Sequence, residues 1–468
     1  MTFKYSIPRI TLSMFLPLAL LSSCGMFDSD DTECPTAQDS KGYISVQVGI
    51  AADETTRSTR AEGDNPYGGE DGNGREAAYE NEYKVSNVTL LLYQSANGIN
   101  GTGTETIEYA YYFSTLTKSS TTATGYDIIY KSSAQECNPL IITSGNTYHV
   151  IVIANCGDLT STFSRKTLAD VRDYLFESAW TYAEGAYSDF VMTSEDDATT
   201  EGAKGAGTET DPLVVSVDIE RLAARIDIEP GDGTYSSNDG TSSYNYNVVS
   251  NTDESRVVGG FVLEAILPYN KLESGEYLIK RVTNGINTSS LLYLGDETAT
   301  SNKATNYVLD PWTLAKAANN ATNLTYNQSK ESDWTNISGF IDVKAVEDGQ
   351  TYFILDYTME NTTTDNSDTY STGLVFKGTY YEGSDWDSAN KTPVTGAKGT
   401  EKYYTYTIRH SDPEGEGTVS DPMYYGIVRN NIYRVKVNKI QGTASEPEIT
   451  LTINVRKWAT YTHSEIVM

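Results

Sequence analysis

The chain has 468 residues and a formal net charge of −30, from 64 acidic and 34 basic side chains. This excess of acid excludes the basic surface that nucleic-acid binding requires, so no nucleic-acid partner is expected. The 35 Tyr and 37 Gly, against only 3 His, favour a mostly β protein, because Tyr suits half-buried strands and Gly supplies turns.

The N-terminus has the form of an export signal. Lys4 and Arg9 form a positively charged region before an apolar run over residues 10–21. The run is shorter than the ~20 residues of a transmembrane helix. The run ends in Leu21-Ser22-Ser23-Cys24, which has the form of a bacterial lipobox. We therefore predict a signal peptide over residues 1–23 and lipidation of Cys24. The alternative is an ordinary signal peptide followed by an unrelated cysteine.

Three further cysteines are Cys34, Cys137 and Cys156. An exported protein permits disulfides, and Cys137 could pair with Cys156, but the sequence leaves the connectivity open. The count is too low for a disulfide framework, and no Cys/His spacing indicates zinc. The polar stretch 365–368 lacks the spacing of an EF-hand calcium loop. No metal and no cofactor are therefore predicted.

Residues 43–50 show strict alternation, with Ile44, Val46, Val48 and Ile50 on one face. This pattern predicts a β-strand. The stretch that follows, as far as Gly74, has no hydrophobic period and is typical of an exposed loop. It contains Arg57 and Arg60, and exposed polar loops are where proteases cut.

Further strands are predicted along the chain, separated by polar stretches that include 283–350 and 358–400. They lie at residues 85–92, 148–154, 213–228, 260–267, 277–282, 351–357, 403–408, 432–440 and 449–455. Leu168, Val171 and Leu175 have helical spacing and predict a short surface helix over 164–175. The simplest architecture is two β-sandwiches in series, over residues 61–221 and 222–468, with the boundary near Arg221.

The last strong strand matches the first in length and period. Its apolar face carries Ile449, Leu451, Ile453 and Val455. If a protease removed the first strand, four aliphatic side chains would leave the core, each worth about 1.5–3 kcal/mol. The vacated groove would then favour a strand from a neighbouring molecule, and such a contact propagates as a filament. The alternative is that each end strand merely completes its own domain.

The sequence offers no catalytic constellation. Motifs for a nucleophile elbow, a phosphate-binding loop or a zinc protease are absent, and His149, His410 and His463 are far apart. We predict that the protein is not an enzyme.

Several blocks resemble the fimbrillins, the type V pilins of Bacteroidota, and more narrowly the major subunit of short (minor) fimbriae. The most specific are Val428-Arg429-Asn430-Asn431-Ile432-Tyr433, after Met423-Tyr424-Tyr425, and the closing Ile453-Asn454-Val455-Arg456-Lys457-Trp458. Ile219-Glu220-Arg221-Leu222-Ala223-Ala224-Arg225 is moderately specific, and the lipobox is shared by all lipoproteins. Arg429, Asn430, Asn431 and Tyr433 are interpreted as a structural turn entering a strand.

The resemblance implies two transthyretin-like domains, export as a lipoprotein, cleavage by an Arg-specific protease and polymerisation by strand exchange. On this chain it implies cleavage between Arg60 and Ala61, with Arg57 as a competing site. Residues 24–60 become a lipidated propeptide, and the strand from Ile449 onward becomes the donor. The short connection before that strand, residues 442–448, departs from the longest members.

The implied locations are the outer membrane for the lipidated precursor and an extracellular fimbrium for the mature form. The implied partners are copies of this chain, other fimbrial subunits and the processing protease, with host proteins or glycans as further candidates. The alternatives within the family are a tip, accessory or anchor subunit. From a different class, the chain could be a glycan-binding surface lipoprotein.

Overall fold

The architecture comes from a computed structural model. The structure describes residues 41–50, 75–76, 78–97, 101–119, 128–143, 145–183, 186–194, 198–238, 240–272, 275–282, 308–313, 324–325, 334–362, 368–410, 424–443 and 447–458. In this part of the chain strands dominate, as the Tyr and Gly content predicts, and the protein is mostly β.

The strands before residue 222 are short and closely spaced. They are β1 (Gly42–Ile50), β2 (Arg75–Glu76), β3 (Val88–Tyr93), β4 (Ile107–Phe113), β5 (Leu116–Lys118), β6 (Ile128–Ser132), β7 (Gln135–Cys137), β8 (His149–Ala154), β9 (Leu175–Phe176), β10 (Thr181–Ala183), β11 (Ala186–Ser188), β12 (Met192–Ser194), β13 (Ala198–Thr199) and β14 (Leu213–Arg221). The helices are α1 (Glu80–Tyr83), α2 (Leu140–Thr143), α3 (Thr160–Phe163) and α4 (Leu168–Arg172).

The later strands include longer ones. They are β15 (Ala224–Glu229), β16 (Thr234–Asn238), β17 (Thr241–Ser250), β18 (Val257–Tyr269), β19 (Glu276–Tyr277), β20 (Arg281–Val282), β21 (Val308–Leu309), β22 (Ile341–Asp342), β23 (Phe353–Thr358), β24 (Gly373–Glu382), β25 (Trp386–Asp387), β26 (Thr392–Pro393), β27 (Thr400–Thr407), β28 (Asn431–Gly442) and β29 (Pro447–Trp458).

The first large sheet has the strand order β4-β3-β8-β12-β14-β1-β6-β5, with β13 paired to β8 and β7 paired to β1. β14 serves two neighbours: Leu213 to Asp218 pair with β1, and the last residues pair with β12. One cluster of buried apolar side chains fills this part of the protein. The near-continuous apolar run of β8 is buried, as its sequence predicts.

The second large sheet has the order β2-β29-β28-β17-β18-β24-β27. β15 adds to β28 in parallel and to β23 in antiparallel, so β28 contacts both β15 and β17 along one edge. A separate cluster of buried apolar side chains lies here, and all its members follow residue 223 in the chain. The first cluster also takes in side chains of the second sheet, among them Tyr357 and Ile432, and the buried apolar faces are consistent with β-sandwich packing.

The chain passes from one sheet to the other within a few residues. β14 ends at Arg221 and β15 begins at Ala224, so Leu222 and Ala223 are the link, and both are fully buried. The alternating segment predicted over residues 213–228 is therefore two strands in different sheets. A buried link of two residues leaves little freedom between the two cores.

Three sequence-based expectations are corrected. The stretch 358–400, predicted as a polar connection, contains the ten-residue strand β24 with Leu374, Val375 and Phe376 buried. The single strand predicted over 277–282 is instead the two short strands β19 and β20. The predicted helix over 164–175 is reduced to the five residues of α4, where Leu168 and Val171 are buried. In these three segments the secondary structure is determined by tertiary packing more than by the local sequence pattern.

Gly260 in β18 tests the packing of the second core. An added Cβ would lie 1.8 Å from the ring of Trp386, which is 6% exposed and is held by an Nε1–Asn247 Oδ1 hydrogen bond of 2.7 Å. We expect Gly260→Ala to lower the free energy of unfolding by about 1–3 kcal/mol, because the core cannot absorb the extra methyl. Urea unfolding measures this. Gly202→Ala, where nothing lies within 4 Å, should change stability by less than about 0.5 kcal/mol. Equal stabilities of the two variants would contradict the packing at Gly260.

Candidate assembly site

The first predicted strand lies in the interior of the first sheet. β1 pairs in parallel with β14, from Ile44 opposite Leu213 to Gly49 opposite Asp218. On its other side it pairs antiparallel with β6 and, at its beginning, with β7. Both backbone edges of β1 are therefore used. Its removal would leave unpaired donors and acceptors on both neighbours, which is unfavourable unless another strand replaces it.

The apolar face of β1 is part of the core. Ile44, Val46 and Val48 are each 0% exposed. Complete burial of three such side chains contributes about 5–9 kcal/mol as an upper value. The side chain of Ile50 lies outside what the structure describes, although its backbone pairs with Ile128. β1 thus fills a row of pockets that would stay open in its absence.

The beginning of β1 is held closely. The backbone N–H of Tyr43 donates to the carbonyl of Gly207 at 2.9 Å. A Cβ on Gly42 would lie 2.9 Å from the Cα of Pro139 and 3.1 Å from the Sγ of Cys137. Only glycine therefore fits beside β7 and α2 at this point. Cys137 lies directly against the first residue of β1.

Cys137 and Cys156 are free thiols and form no disulfide with each other. Burial raises the pKa of the Cys137 thiol to about 11 and that of the Cys156 thiol to about 12. The pairing that the sequence left open is therefore not present. Cys137 belongs to β7, beside β1, whereas Cys156 lies in the turn after β8.

The last predicted strand lies at the border of the second sheet. β29 pairs antiparallel with β28 from Asn431 opposite Lys457 to Gly442 opposite Pro447. On its other edge, among the described residues, only Arg75 and Glu76 of β2 pair with it, opposite Lys457 and Trp458. Most of β29 is thus bonded on one side only. The strand predicted over residues 449–455 is present and extends further at both ends, over the twelve residues of β29.

The apolar face of β29 is less buried than that of β1. Ile453 is 2% exposed, but Ile449 and Leu451 are only half-buried. The side chains of Val455 and Trp458 lie outside the described part of the structure. A strand that is paired on one edge and half-buried is bound less tightly than one paired on both edges and fully buried. The two matched end strands therefore differ in how firmly they are held.

The two sequence blocks that carry the family resemblance meet between the sheets. The backbone N–H of Asn430 donates to the carbonyl of Ala223 at 2.7 Å, and the Arg221 guanidinium donates to Asn430 Oδ1 at 3.3 Å. Asn430 has φ +58, a left-handed conformation that Asn tolerates. The amide of Asn431 donates to the carbonyls of Val428 and Arg429 at 3.2 and 2.9 Å. These residues close a buried turn that starts β28.

Glu82 of α1, which lies between β2 and β3 in the chain, also contacts this junction. Its carboxylate accepts from Arg225 Nη1 at 3.1 and 3.2 Å and from the hydroxyl of Tyr357 at 2.6 Å. Its carbonyl accepts from Arg221 Nε at 2.7 Å. Burial lowers the pKa of Arg221 to about 10, partly offset by the charge of Glu82. Glu82 is thus the buried anion that holds two arginines between the sheets.

The same cluster continues into the second sheet through shared carboxylates. Arg225 Nε and Arg434 Nη2 both donate to Asp227, at 2.9 Å each, and the exposed fractions of these three side chains are 4% or less. The guanidinium of Arg434 also lies 3.4 Å from the ring centroid of Tyr352. The shared carboxylate of Asp227 thus links the neighbouring strands β15 and β28.

A second buried cluster surrounds Arg429. Its guanidinium lies 2.8 Å from Glu360 and 3.4 Å from Glu276. Burial lowers the pKa of Arg429, but the two carboxylates outweigh it and raise that pKa above its usual range. Burial raises the pKa of Glu276 well above its ordinary value, and the charge of Arg429 acts in the opposite direction.

No catalytic or metal-binding arrangement is found in the described ranges. Groups of three or more His, Cys, Asp or Glu that could hold a metal ion are absent there. His149 Nε2 lies 2.9 Å from the carbonyl of Ser95, and His410 Nδ1 lies 2.7 Å from the hydroxyl of Tyr433. Among the residues searched, none of the helices has the length and hydropathy of a membrane span.

Several predicted site residues lie outside the described residues. These are Cys24, Arg57, Arg60, Ala61 and His463. The structure brings Arg221 and Asn430 together but does not bring β1 and β29 together, since they belong to different sheets. Sequence reasoning missed Glu82, Asp227 and Glu360. A buried acid has no local pattern, and only the density of arginines in the two family blocks hinted that partners were needed.

Two family models match the chain. Residues 43–221, from β1 to the end of β14, match the model described as Major fimbrial subunit protein (FimA). Residues 398–463, which include β27, β28 and β29, match the model described as Major fimbrial subunit protein type IV, Fimbrillin, C-terminal. The comparison with curated protein sequences gave no match.

Three solved structures illustrate what the structural comparison found. A fimbrilin (FimA) from Porphyromonas gingivalis has 15% identity and a TM-score of 0.39, covering 90% of this chain and 99% of that one. The tip fimbrial protein Mfa3 from Porphyromonas gingivalis has 12% identity and a TM-score of 0.38, covering 89% of this chain and 100% of that one. A proposed cell adhesion protein from Parabacteroides distasonis has 13% identity and a TM-score of 0.42, covering 89% of this chain and 100% of that one. Likeness at this level supports no conclusion by itself.

The matched segments define a class, the structural subunits of cell-surface fimbriae, which are not enzymes. Within that class the chain belongs to the fimbrillin family of Bacteroidota. The first match begins within β1, and the second includes the whole of β29.

Glu82 provides a test of the junction. We expect Glu82→Gln to lower the free energy of unfolding by about 3–5 kcal/mol, because Arg225 and Tyr357 would lose the carboxylate that faces them and Asp227 would remain the one anion beside Arg225. Urea denaturation of the whole protein measures the change. Glu80→Gln, two residues away on the exposed side of α1, is the matched control and should stay within about 0.5 kcal/mol of the original. A Glu82→Gln protein as stable as the control would show that the anion is dispensable.

Proposed function

We propose that this fimbrillin is a shaft-forming subunit, similar to the major subunit of short fimbriae. It is exported as a lipoprotein, cleaved after Arg60, and polymerised when the C-terminal strand of one copy enters the groove that β1 leaves in another. Residues 61–221 and 222–468 act as its two transthyretin-like domains. Cys24 carries the lipid of the outer-membrane precursor, and the product is an extracellular fimbrium.

The observation that carries the proposal is the unequal binding of the two end strands. β1 occupies an interior position with Ile44, Val46 and Val48 fully buried. β29 is largely paired on one edge, and Ile449 and Leu451 are half-buried. A copy of β29 that moved into the vacated groove would gain a second set of backbone hydrogen bonds and deeper burial. Once β1 has gone, exchange between copies is therefore favourable.

Cleavage makes the exchange irreversible. In the intact chain β1 is covalently tethered, so its effective concentration at the groove is high and an incoming strand cannot compete. Arg57 and Arg60 lie in sequence between β1 and β2. A cut there turns β1 into a separate segment that is lost on dissociation. The contact between donor and acceptor joins different surfaces, so it repeats as an open filament.

The direct test uses precursor from Ser29 onward, treated with an Arg-specific protease. We expect intact mass to map the cut after Arg60, and SDS-resistant ladders to follow, because each freed groove takes a neighbour's strand. A sample that lacks residues 449–468 should be cut equally well yet stay monomeric. Arg60→Gln should block productive cutting, whereas Arg57→Gln should not.

The outcomes separate the candidate roles. Cutting without ladders in the complete chain would favour a tip or accessory subunit that needs a separate partner. Resistance of the Arg57/Arg60 region in the folded protein would remove the trigger and favour an anchor subunit or a glycan-binding lipoprotein. Either result would contradict a self-assembling shaft subunit.

Cys137 reports directly on whether β1 leaves. In precursor with Cys34→Ser and without residues 449–468, we expect slow maleimide labelling of Cys137 at pH 8.5, because its pKa of about 11 keeps it protonated. Loss of β1 uncovers the thiol, lowers its pKa toward the ordinary value and raises the labelling rate at least about tenfold. Peptide mass mapping measures both thiols in one sample.

Cys156 is the internal control for this labelling. It is not beside β1, and burial raises its pKa to about 12, so its rate should not change on cutting. If Cys137 stayed unreactive after fragment 29–60 had separated from the protein, β1 would not be the element that covers it.

A further inference from the structure

The polar face of β1 contains one residue that does not suit its place. Gln47 is 1% exposed, and neither its amide nitrogen nor its amide oxygen has a hydrogen-bond partner in the described part of the protein. A carboxamide offers two donors and one oxygen acceptor, so it loses all its water contacts without replacement. Buried amides in native proteins are normally satisfied, and an exception needs an explanation.

The neighbours of Gln47 do not compensate it. Its register partners are Lys131 in β6 and Ser216 in β14. Both carry hydrogen-bonding groups, but they are more exposed than Gln47, and they do not pair with its amide. The unfavourable burial is therefore a property of this one side chain in this one position.

The remainder of β1 is well accommodated. Its backbone pairs on both edges, the N–H of Val46 donates to Ser132 Oγ at 2.9 Å, and Ile44 and Val48 are fully buried. The backbone pairing stabilises bound β1, whereas the unsatisfied amide of Gln47 destabilises it. The result is a strand that folds with the protein but is held less tightly than its apolar face would allow.

The C-terminal strand lacks this defect. If Ile449, Leu451 and Ile453 take the places of Ile44, Val46 and Val48, the residue that replaces Gln47 is Thr452. Threonine is smaller, favours strands, and buries one hydroxyl in place of a whole carboxamide. The matched apolar positions are aliphatic in both strands, whereas the position of Gln47 changes from a carboxamide to a hydroxyl.

From this difference we propose that Gln47 is a release determinant: it makes β1 a temporary occupant of the groove and so sets the rate at which β1 gives way to a second copy's strand. The inference rests on the proposed function and adds the residue that controls exchange. Gln47 acts through the stability of bound β1 and takes no part in the cleavage itself.

The experiment compares full precursor from Ser29 with its Gln47→Met and Gln47→Glu variants. Met keeps the unbranched shape without the amide, so after cutting we expect fragment 29–60 to leave about tenfold more slowly and ladders to form correspondingly later. Glu introduces a buried charge and should release faster than the original. Size-exclusion chromatography with mass detection follows the fragment. Gln350→Met, at an exposed position, is the matched control and should behave as the original.

A second measurement does not depend on exchange. In uncut precursor, Gln47→Met should raise the urea midpoint of unfolding and Gln47→Glu should lower it. Release of Gln47→Met at the original rate, or an unchanged midpoint, would overturn the role of Gln47. If the original protein forms no ladders but Gln47→Met still raises the midpoint and slows fragment release, the strand-exchange function fails while the weakness of bound β1 stands.

Discussion

The structure depends on one constraint, the pairing of β1 along both of its edges inside the first sheet. β14 on one side and β6 with β7 on the other present backbone groups that only an extended chain can satisfy. The same position buries Ile44, Val46 and Val48 completely. A sheet can lose an edge strand and keep its core, but it cannot lose an interior strand without a substitute. The requirement for a strand at this place, from whichever chain, follows from that geometry.

The junction between the two cores has the opposite character. Buried ions are costly to desolvate, so Glu82, Asp227 and Glu360 are tolerable only because arginines meet them at short distance. Separation of the cores would break the pair of Glu82 with Arg225 and take that partner from two buried charges. The fimbrillin therefore combines a fixed connection between its cores with an interior strand at β1. The strand exchange that we propose would change the first sheet without loosening this connection.

Particular residues show where sequence reasoning succeeded and where it could not. The alternation at 43–50 and 449–455 predicted β1 and β29, because a period of two is a local property of the chain. β24 was missed because Gly373 and Gly378 break its pattern. Glycine is required there, since a Cβ would lie 2.3 Å from the ring of Tyr269 and 2.4 Å from that of Phe261. The reason for those glycines lies on other strands. Glu82 was missed for the same cause, as its partners are distant in sequence.

By itself, the sequence determined the mostly β composition, the arginines between the first two strands and the matched apolar faces of the two end strands, and it predicts an export signal with a lipobox at Cys24. These features are written in short windows of residues. Only the tertiary structure decided that β1 is interior while β29 lies at a border, that Gln47 is buried without a partner, and that Arg221 and Asn430 meet. Periodicity states which face of a strand is apolar. It does not state how many neighbours the strand has, because neighbours come from parts of the chain that no local window contains.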